Sequence, residues 1–113
     1  MSRSSIPTDK EQDLEAALNA VSEIEEGFEK VLTDAVNAKA DDEIEYAKAF
    51  LKAEGTEKAR EAQAKIDTER FKRERYRTEA IREFQRTKLQ DAQAAVSARQ
   101  TLLKANLRTN EAF

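Results

Sequence analysis

The sequence predicts an all-α protein: a long antiparallel helical hairpin, coiled-coil-like, with its turn near the middle of the chain. Charged residues make up 38% of the 113 residues, with only two Gly and one Pro, a composition typical of long helices. Apolar residues recur every three or four positions, as in a helix that packs along another helix. A single Gly near the midpoint separates an acidic half from a basic half.

The first helix is predicted to follow a short Ser-rich segment, 1–7, which we expect to be flexible. Thr8 and Glu11 have the spacing of a capping box, in which each side chain binds a free backbone amide of the other residue. Beyond them the apolar positions repeat with a period of about 3.5, the coiled-coil value. These positions are Leu14, Leu18, Val21, Ile24, Phe28, Val31 and Ala35.

A second apolar row starts one position later on the same predicted helix. It consists of Leu32, Val36, Ala40, Ile44, Ala47 and Leu51. The seam, meaning the line of residues that packs against the partner helix, is therefore expected to shift sideways near residues 36–44. Asp41, Asp42 and Glu43 lie in this segment. Two possibilities remain open here: a helix that breaks near Asp41, and one bent helix that carries the acids on its outside.

Gly55 and Thr56 are the predicted structural turn. Gly suits the left-handed residue that ends a helix, and Thr suits the N-cap of the next one. One uninterrupted helix is then predicted from Glu57 to about Arg108, with a frayed C-terminus at 109–113, so that 8–108 form a single domain. Its predicted seam is Ala59, Ala62, Ile66, Ala80, Phe84, Leu89, Ala92, Val96 and Leu103.

Charge and composition predict how these helices associate. Residues 1–54 hold 6 basic and 14 acidic residues (net −8), whereas residues 55–113 hold 14 basic and 9 acidic (net +5). In a hairpin the basic stretch 70–88 would face the acidic stretch 22–40, and such pairs select register. Because 19 of the hydrophobic residues are Ala, the seam buries little apolar area. We therefore expect a homo-oligomer, with a dimer of hairpins forming a four-helix bundle.

The strongest candidate for interaction is a basic stretch in the second helix. Its residues are Arg70, Lys72, Arg73, Arg75, Tyr76 and Arg77. Basic side chains bind phosphates, and Tyr76 with the neighbouring Phe71 could stack on exposed bases. The alternative is that these charges pair with the acidic first helix or simply solvate a helix face. Because the pI is near 5.2 and acids interleave the stretch, we predict pairing and only weak nucleic-acid binding.

The sequence predicts no catalytic residue, no cofactor and no metal site, and hence no enzyme. The chain has no His and no Cys, the commonest general base and the thiol nucleophile. The cluster Asp41, Asp42, Glu43 and Glu45 lacks the alternating acids and Gly of a calcium loop, so we interpret it as a solvated face. The absence of any run of about 20 apolar residues predicts no membrane partner.

The run from Tyr46 to Ala62, YAKAFLKAEGTEKAREA, resembles a pattern in small uncharacterised helical proteins of bacteriophages and prophages. In those proteins a Tyr- and Ala-rich helix leads into Glu-Gly-Thr and then into a basic helix with a later Arg, here Arg99. The likeness covers roughly 43–103. It implies a phage setting, often near recombination and replication genes, and brings no established activity or functional residue.

The predicted function is therefore a non-catalytic helical interaction protein of phage type. It would be an accessory factor in phage DNA metabolism or a modulator of a host protein, located in the cytoplasm of the bacterial host. Its expected partners are a second copy of itself and another phage or host protein. Two rivals remain: direct nucleic-acid binding through the basic second helix, and a structural or assembly role in the virion.

Overall fold

The structure is a computed structural model that describes the backbone of residues 8–111 and the side chains of residues 8–108. Over this range the chain forms three helices and no strand: α1 (Asp9–Lys52), α2 (Glu57–Asp67) and α3 (Glu69–Glu111). The predicted all-α class is confirmed. The predicted flexible segment 1–7 and the last two residues lie outside the described residues, and α3 continues three residues past its predicted end at Arg108.

The predicted capping box begins α1. The Glu11 backbone N–H donates to Thr8 Oγ1 at 3.2 Å, and the Thr8 N–H donates to Glu11 Oε2 at 3.3 Å. Two amides that have no partner inside the helix are thereby satisfied.

The first helix does not break near Asp41, because α1 is continuous from Asp9 to Lys52. Its seam does not shift sideways either. The least exposed positions continue in steps of three and four through Val31, Ala35, Ala38 and Asp42. The predicted second row is instead exposed to solvent, which is a correction: Val36, for example, is 62% exposed. The buried apolar positions of the seam, Ala35 and Ala38, are small, whereas the larger Val36 lies outside it.

Two compact units divide the described chain, and α1 and α3 contribute to both. The unit formed by residues up to Gly27 and from Arg86 onward is an antiparallel helix pair. Asp13 and Arg99 line the same shallow groove, which Ala20 and Ala92 also line. Of the predicted seam in this unit, all positions except Leu18 are at least half-buried: Leu14, Val21, Ile24, Leu89, Ala92, Val96 and Leu103. Leu18 is 47% exposed, and Ala17 takes its place.

The unit formed by Phe28–Gln85 buries only small or polar residues among those described. These are Ala35, Ala38, Asp42, Ala64, Thr68 and Thr78. Ala side chains let two helix backbones approach closely, but they remove little apolar area from water. The two buried hydroxyls need no partner from another helix, because Thr68 Oγ1 donates to the Ala64 carbonyl at 2.7 Å and Thr78 Oγ1 donates to the Arg75 carbonyl at 2.9 Å.

The second half of the chain is not the single helix that the sequence predicts, because it breaks at Thr68. Thr68 has φ −110° and ψ 13°, and its N–H caps the end of α2. Its carbonyl accepts bonds from the Phe71 and Lys72 amides, which begin α3. No Gly or Pro marks this break. A Thr hydroxyl that bonds back to the carbonyl four residues earlier is a known cause of helix bending.

The α2 and early α3 part of the predicted seam is wrong. Its residues are all exposed: Ala59, Ala62, Ile66, Ala80 and Phe84. The seam of α3 in this unit is instead Phe71, Arg75, Thr78, Arg82 and Gln85. Arg75 sets this rotation of the helix, since it reaches Asp42 in the seam of α1.

The predicted turn lies between α1 and α2. Gly55 has φ 108°, a backbone conformation that L side chains rarely adopt. Thr56 is the N-cap of α2, and its hydroxyl accepts the Ala59 N–H at 3.2 Å.

We expect Gly55→Val to lower the free energy of unfolding by about 1–2 kcal/mol, because a β-branched residue resists positive φ. The other glycine provides the control. Gly27 lies inside α1, and a Cβ added there would meet no atom within 4 Å, so Gly27→Ala should stabilise the helix by up to about 1 kcal/mol. Thermal melts of both variants test the turn, and an unchanged or raised midpoint for Gly55→Val would contradict it.

Candidate interaction surface

Arg75 is the residue of the basic stretch that crosses to α1. Its Nη1 donates to Asp42 Oδ2 at 3.1 Å, and its Nε donates to Glu79 Oε1 at 3.2 Å. The side chains of Arg75 and Asp42 are 27% and 9% exposed. The hydrogen bonds to Asp42 and then to Glu79 raise the pKa of Arg75. Such a shielded, doubly bonded guanidinium is structural and is not available to a ligand.

Arg73 and Arg77 bond along their own helix, which corrects the prediction that these charges pair with α1. Arg73 donates to Glu69 at 2.7 Å. Arg77 donates through Nε to Glu74 Oε2 at 2.9 Å and through Nη2 to the other carboxylate oxygen. The Arg77 hydrogen bond lowers the pKa of Glu74, and Glu74 in turn raises the pKa of Arg77, with a smaller electrostatic contribution from Asp34. Both arginines stay on the outside of α3.

The remaining cations of the stretch also lie at the surface. The Arg70 guanidinium stands 4.7 Å from the centre of the Phe71 ring. Phe71 is half-buried, so it is poorly placed to stack on a base. Lys72 is exposed and lines a shallow depression with Thr68 and Arg75.

One side of α3 combines exposed cations with exposed rings. We call it the α3 outer face: Arg73, Tyr76, Arg77, Ala80 and Phe84. These residues recur at helical spacing and therefore share one side of the helix. Tyr76 is 58% exposed and Phe84 is 66% exposed. Tyr76 was part of the predicted site, whereas Phe84 was assigned to the seam. Because the seam of α3 contains Arg75 and Thr78 instead, Phe84 lies on the solvent-exposed side of the helix.

The exposed side of α1 in the same unit is apolar. We call it the α1 outer row: Leu32, Val36, Ala40, Ile44, Ala47 and Leu51. Its larger members Ile44 and Leu51 are 52% and 76% exposed. An apolar stripe of this width normally faces a partner and not water.

The turn is locked by Arg60, a residue that the sequence analysis did not single out. Its Nε and Nη2 donate to the Phe50 carbonyl at 3.2 and 3.0 Å. Its guanidinium also lies 4.5 Å from the centre of the Phe50 ring, which stacks on Tyr46. One arginine thus satisfies a carbonyl near the end of α1 and holds α2 against it.

We expect Arg60→Ala to lower the free energy of unfolding by about 1–2 kcal/mol, because it removes both the charge-assisted hydrogen bonds and the cation–π contact. Lys58→Ala is the matched control, since Lys58 is exposed in the same turn of α2 and should change stability by less than about 0.5 kcal/mol. Urea denaturation of both variants measures the difference. Equal effects would show that Arg60 does not lock the turn.

The acidic cluster of α1 does not assemble into a metal site. Asp42 bonds Arg75, and Glu45 lies 3.5 Å from Lys48. Within residues 8–108, no group of three or more acidic side chains is arranged to bind a metal ion. In the part of the chain that the structure describes, no helix combines the length and apolar character that crossing a bilayer requires.

No protein-family model matches the chain, and neither a curated protein nor a solved structure matches it.

Proposed function

We propose that this chain is a non-catalytic helical interaction protein of phage type that binds another phage or host protein through the α3 outer face. It would act in the bacterial cytoplasm as an accessory factor in phage DNA metabolism or as a modulator of a host protein. The observation that carries the proposal is the exposure of Tyr76 and Phe84 on the same side of α3 as Arg73 and Arg77.

The chemistry of this face selects its partner. Exposed aromatic rings and arginines are the residue types that contribute most binding energy at protein interfaces. Arg73 and Arg77 already have carboxylate partners on α3, so their net field is small. A partner with an apolar ridge can pack against the two rings. Acidic side chains beside that ridge can bind the arginines together with their carboxylate partners on α3. An acidic amphipathic helix has this chemistry.

A single-stranded nucleic acid is the second candidate, because Tyr76 and Phe84 could each stack on a base beside an arginine. The paired state of Arg73 and Arg77 counts against it, since phosphates would have to displace Glu69 and Glu74. We therefore expect only non-specific affinity, about 10⁻⁴ to 10⁻⁶ M at physiological salt.

Two experiments test the proposal. In a pull-down from a lysate of phage-infected bacteria, the wild-type chain should retain a protein partner that the double variant Tyr76→Glu, Phe84→Glu loses. Ile66→Glu is the matched control, because Ile66 is an equally exposed apolar residue outside the face. The proposal fails if the double variant retains the same protein. Fluorescence anisotropy with single- and double-stranded oligonucleotides across a salt series decides the second candidate: submicromolar binding at physiological salt that the double variant abolishes would establish nucleic acid as the partner.

A further inference from the structure

We propose that the α1 outer row is the interface of a homodimer, in which α1 of one copy packs antiparallel on α1 of a second copy. The inference rests on the proposed function, because a dimer formed through α1 leaves the α3 outer face of each copy open to a different partner.

The row is apolar and has no partner within the described chain. Val36, Ile44 and Leu51 are 62%, 52% and 76% exposed, although Leu32 is less so at 36%. The row extends over about 30 Å of helix at 1.5 Å per residue. Meanwhile the seam on the other side of α1 buries only Ala35, Ala38 and Asp42. Folding of one chain therefore leaves Val36, Ile44 and Leu51 largely in water.

The row is self-complementary when two copies meet antiparallel. A two-fold axis between residues 41 and 42 brings Ile44 to within one residue of the level of Ala40 of the second copy. The same axis places Val36 opposite Ala47. It also places Leu32 opposite Leu51. Large side chains thus meet small ones near the axis, as close helix packing requires, and two leucines meet at each end. Such an interface is isologous, because the same patch serves both copies and the assembly closes as a dimer.

Charge favours this orientation. Lys39 and Glu43 are exposed at one edge of the row. In an antiparallel pair related by a two-fold axis, equal edges meet, so Lys39 lies within one residue of the level of Glu43 of the second copy, and the pair occurs twice. A parallel pair related by a two-fold axis along the helices would instead bring opposite edges together, so Lys39 would not meet Glu43 and this attraction would be lost.

Sedimentation equilibrium of the full chain tests the interface. The wild type should be a dimer at high micromolar concentration, with twice the 12.8 kDa chain mass. Ile44→Lys should raise the dimer dissociation constant by about 30-fold or more, since it brings a charge into the centre of the interface. Ile66→Lys, at a 69% exposed apolar residue of α2 outside the row, should leave the constant unchanged. A monomeric wild type, or equal constants for the two variants, overturns the proposal.

A charge exchange tests the register. Glu43→Lys and Lys39→Glu should each raise the dissociation constant by about fivefold. The double exchange should return it to within about twofold of the wild type, because the pairs re-form with reversed sign. Failure of the double exchange to restore the dimer overturns the antiparallel register.

The outcome is separable from that of the proposed function. Ile44→Lys should become monomeric and still retain the partner that depends on Tyr76 and Phe84. The double variant Tyr76→Glu, Phe84→Glu should lose that partner and remain a dimer. A wild type that is monomeric but captures the partner overturns the dimer alone, and a dimeric wild type that captures no protein overturns the proposed function alone.

Discussion

Arg75→Leu is expected to lower the free energy of unfolding by about 2–3 kcal/mol, because it leaves the Asp42 carboxylate buried without its partner. Asp42 is 6% exposed, and Arg75 is the partner that bonds it from α3. The cost comes from the stranded charge and not from the loss of an attraction. Chemical denaturation monitored by circular dichroism measures it.

A second substitution separates these two causes. In the double variant Asp42→Leu, Arg75→Leu both seam positions become apolar, and stability should return to the wild-type value or exceed it. The matched control is Arg77→Leu, which removes an exposed arginine paired within its own helix and should cost less than about 1 kcal/mol. If Arg75→Leu costs no more than Arg77→Leu, the buried pair does not set the packing of α3 on α1.

Ala38→Leu is expected to lower the free energy of unfolding by about 1–3 kcal/mol, because the seam has no room for three more carbon atoms. Ala38 is 7% exposed, and its neighbour along the seam, Ala35, is 2% exposed. Helix propensity contributes little to the change, since Leu forms helices nearly as well as Ala.

The control for Ala38→Leu is Ala80→Leu, at an exposed position of α3, which should change stability by less than about 0.5 kcal/mol. Thermal melts of the two variants at equal protein concentration provide the comparison. A stabilised Ala38→Leu would show that the seam has unfilled space and that the helices are not held close by small residues.

Local chemistry made much of the fold predictable. Three local features could be recognised from residue types and their spacing: the capping box of Thr8 and Glu11, the left-handed Gly55 and the N-cap Thr56. Each depends only on nearby backbone hydrogen bonds or on the steric limits of one residue. The heptad period was also readable. The choice between two neighbouring rows was not, because apolar size favours Val36 and Ile44, whereas close helix approach selects Ala35 and Ala38.

The burial of polar residues in the seam could not be predicted either, because it too depends on how closely the two helices approach. Asp42, Arg75 and Thr78 look like surface residues until the two helices are placed together, and only then does the Asp42–Arg75 bond explain their burial. The break at Thr68 carries no Gly or Pro, and a Thr hydroxyl bonds the carbonyl four residues earlier at Thr33 and Thr101 too, inside unbroken helices, so this bond alone did not mark the break. Of the predicted interaction residues, Arg75 belongs to the seam, while Arg73, Tyr76 and Arg77 lie on the α3 outer face.

The central claim is that the exposed apolar side chains of the α1 outer row are removed from water by association with a second copy. Thermal unfolding followed by circular dichroism over a hundredfold range of protein concentration tests this most directly. Because association stabilises the folded state by mass action, the account predicts a midpoint that rises with concentration. A midpoint independent of concentration, together with a cooperatively folded 12.8 kDa monomer at high micromolar concentration, would contradict it.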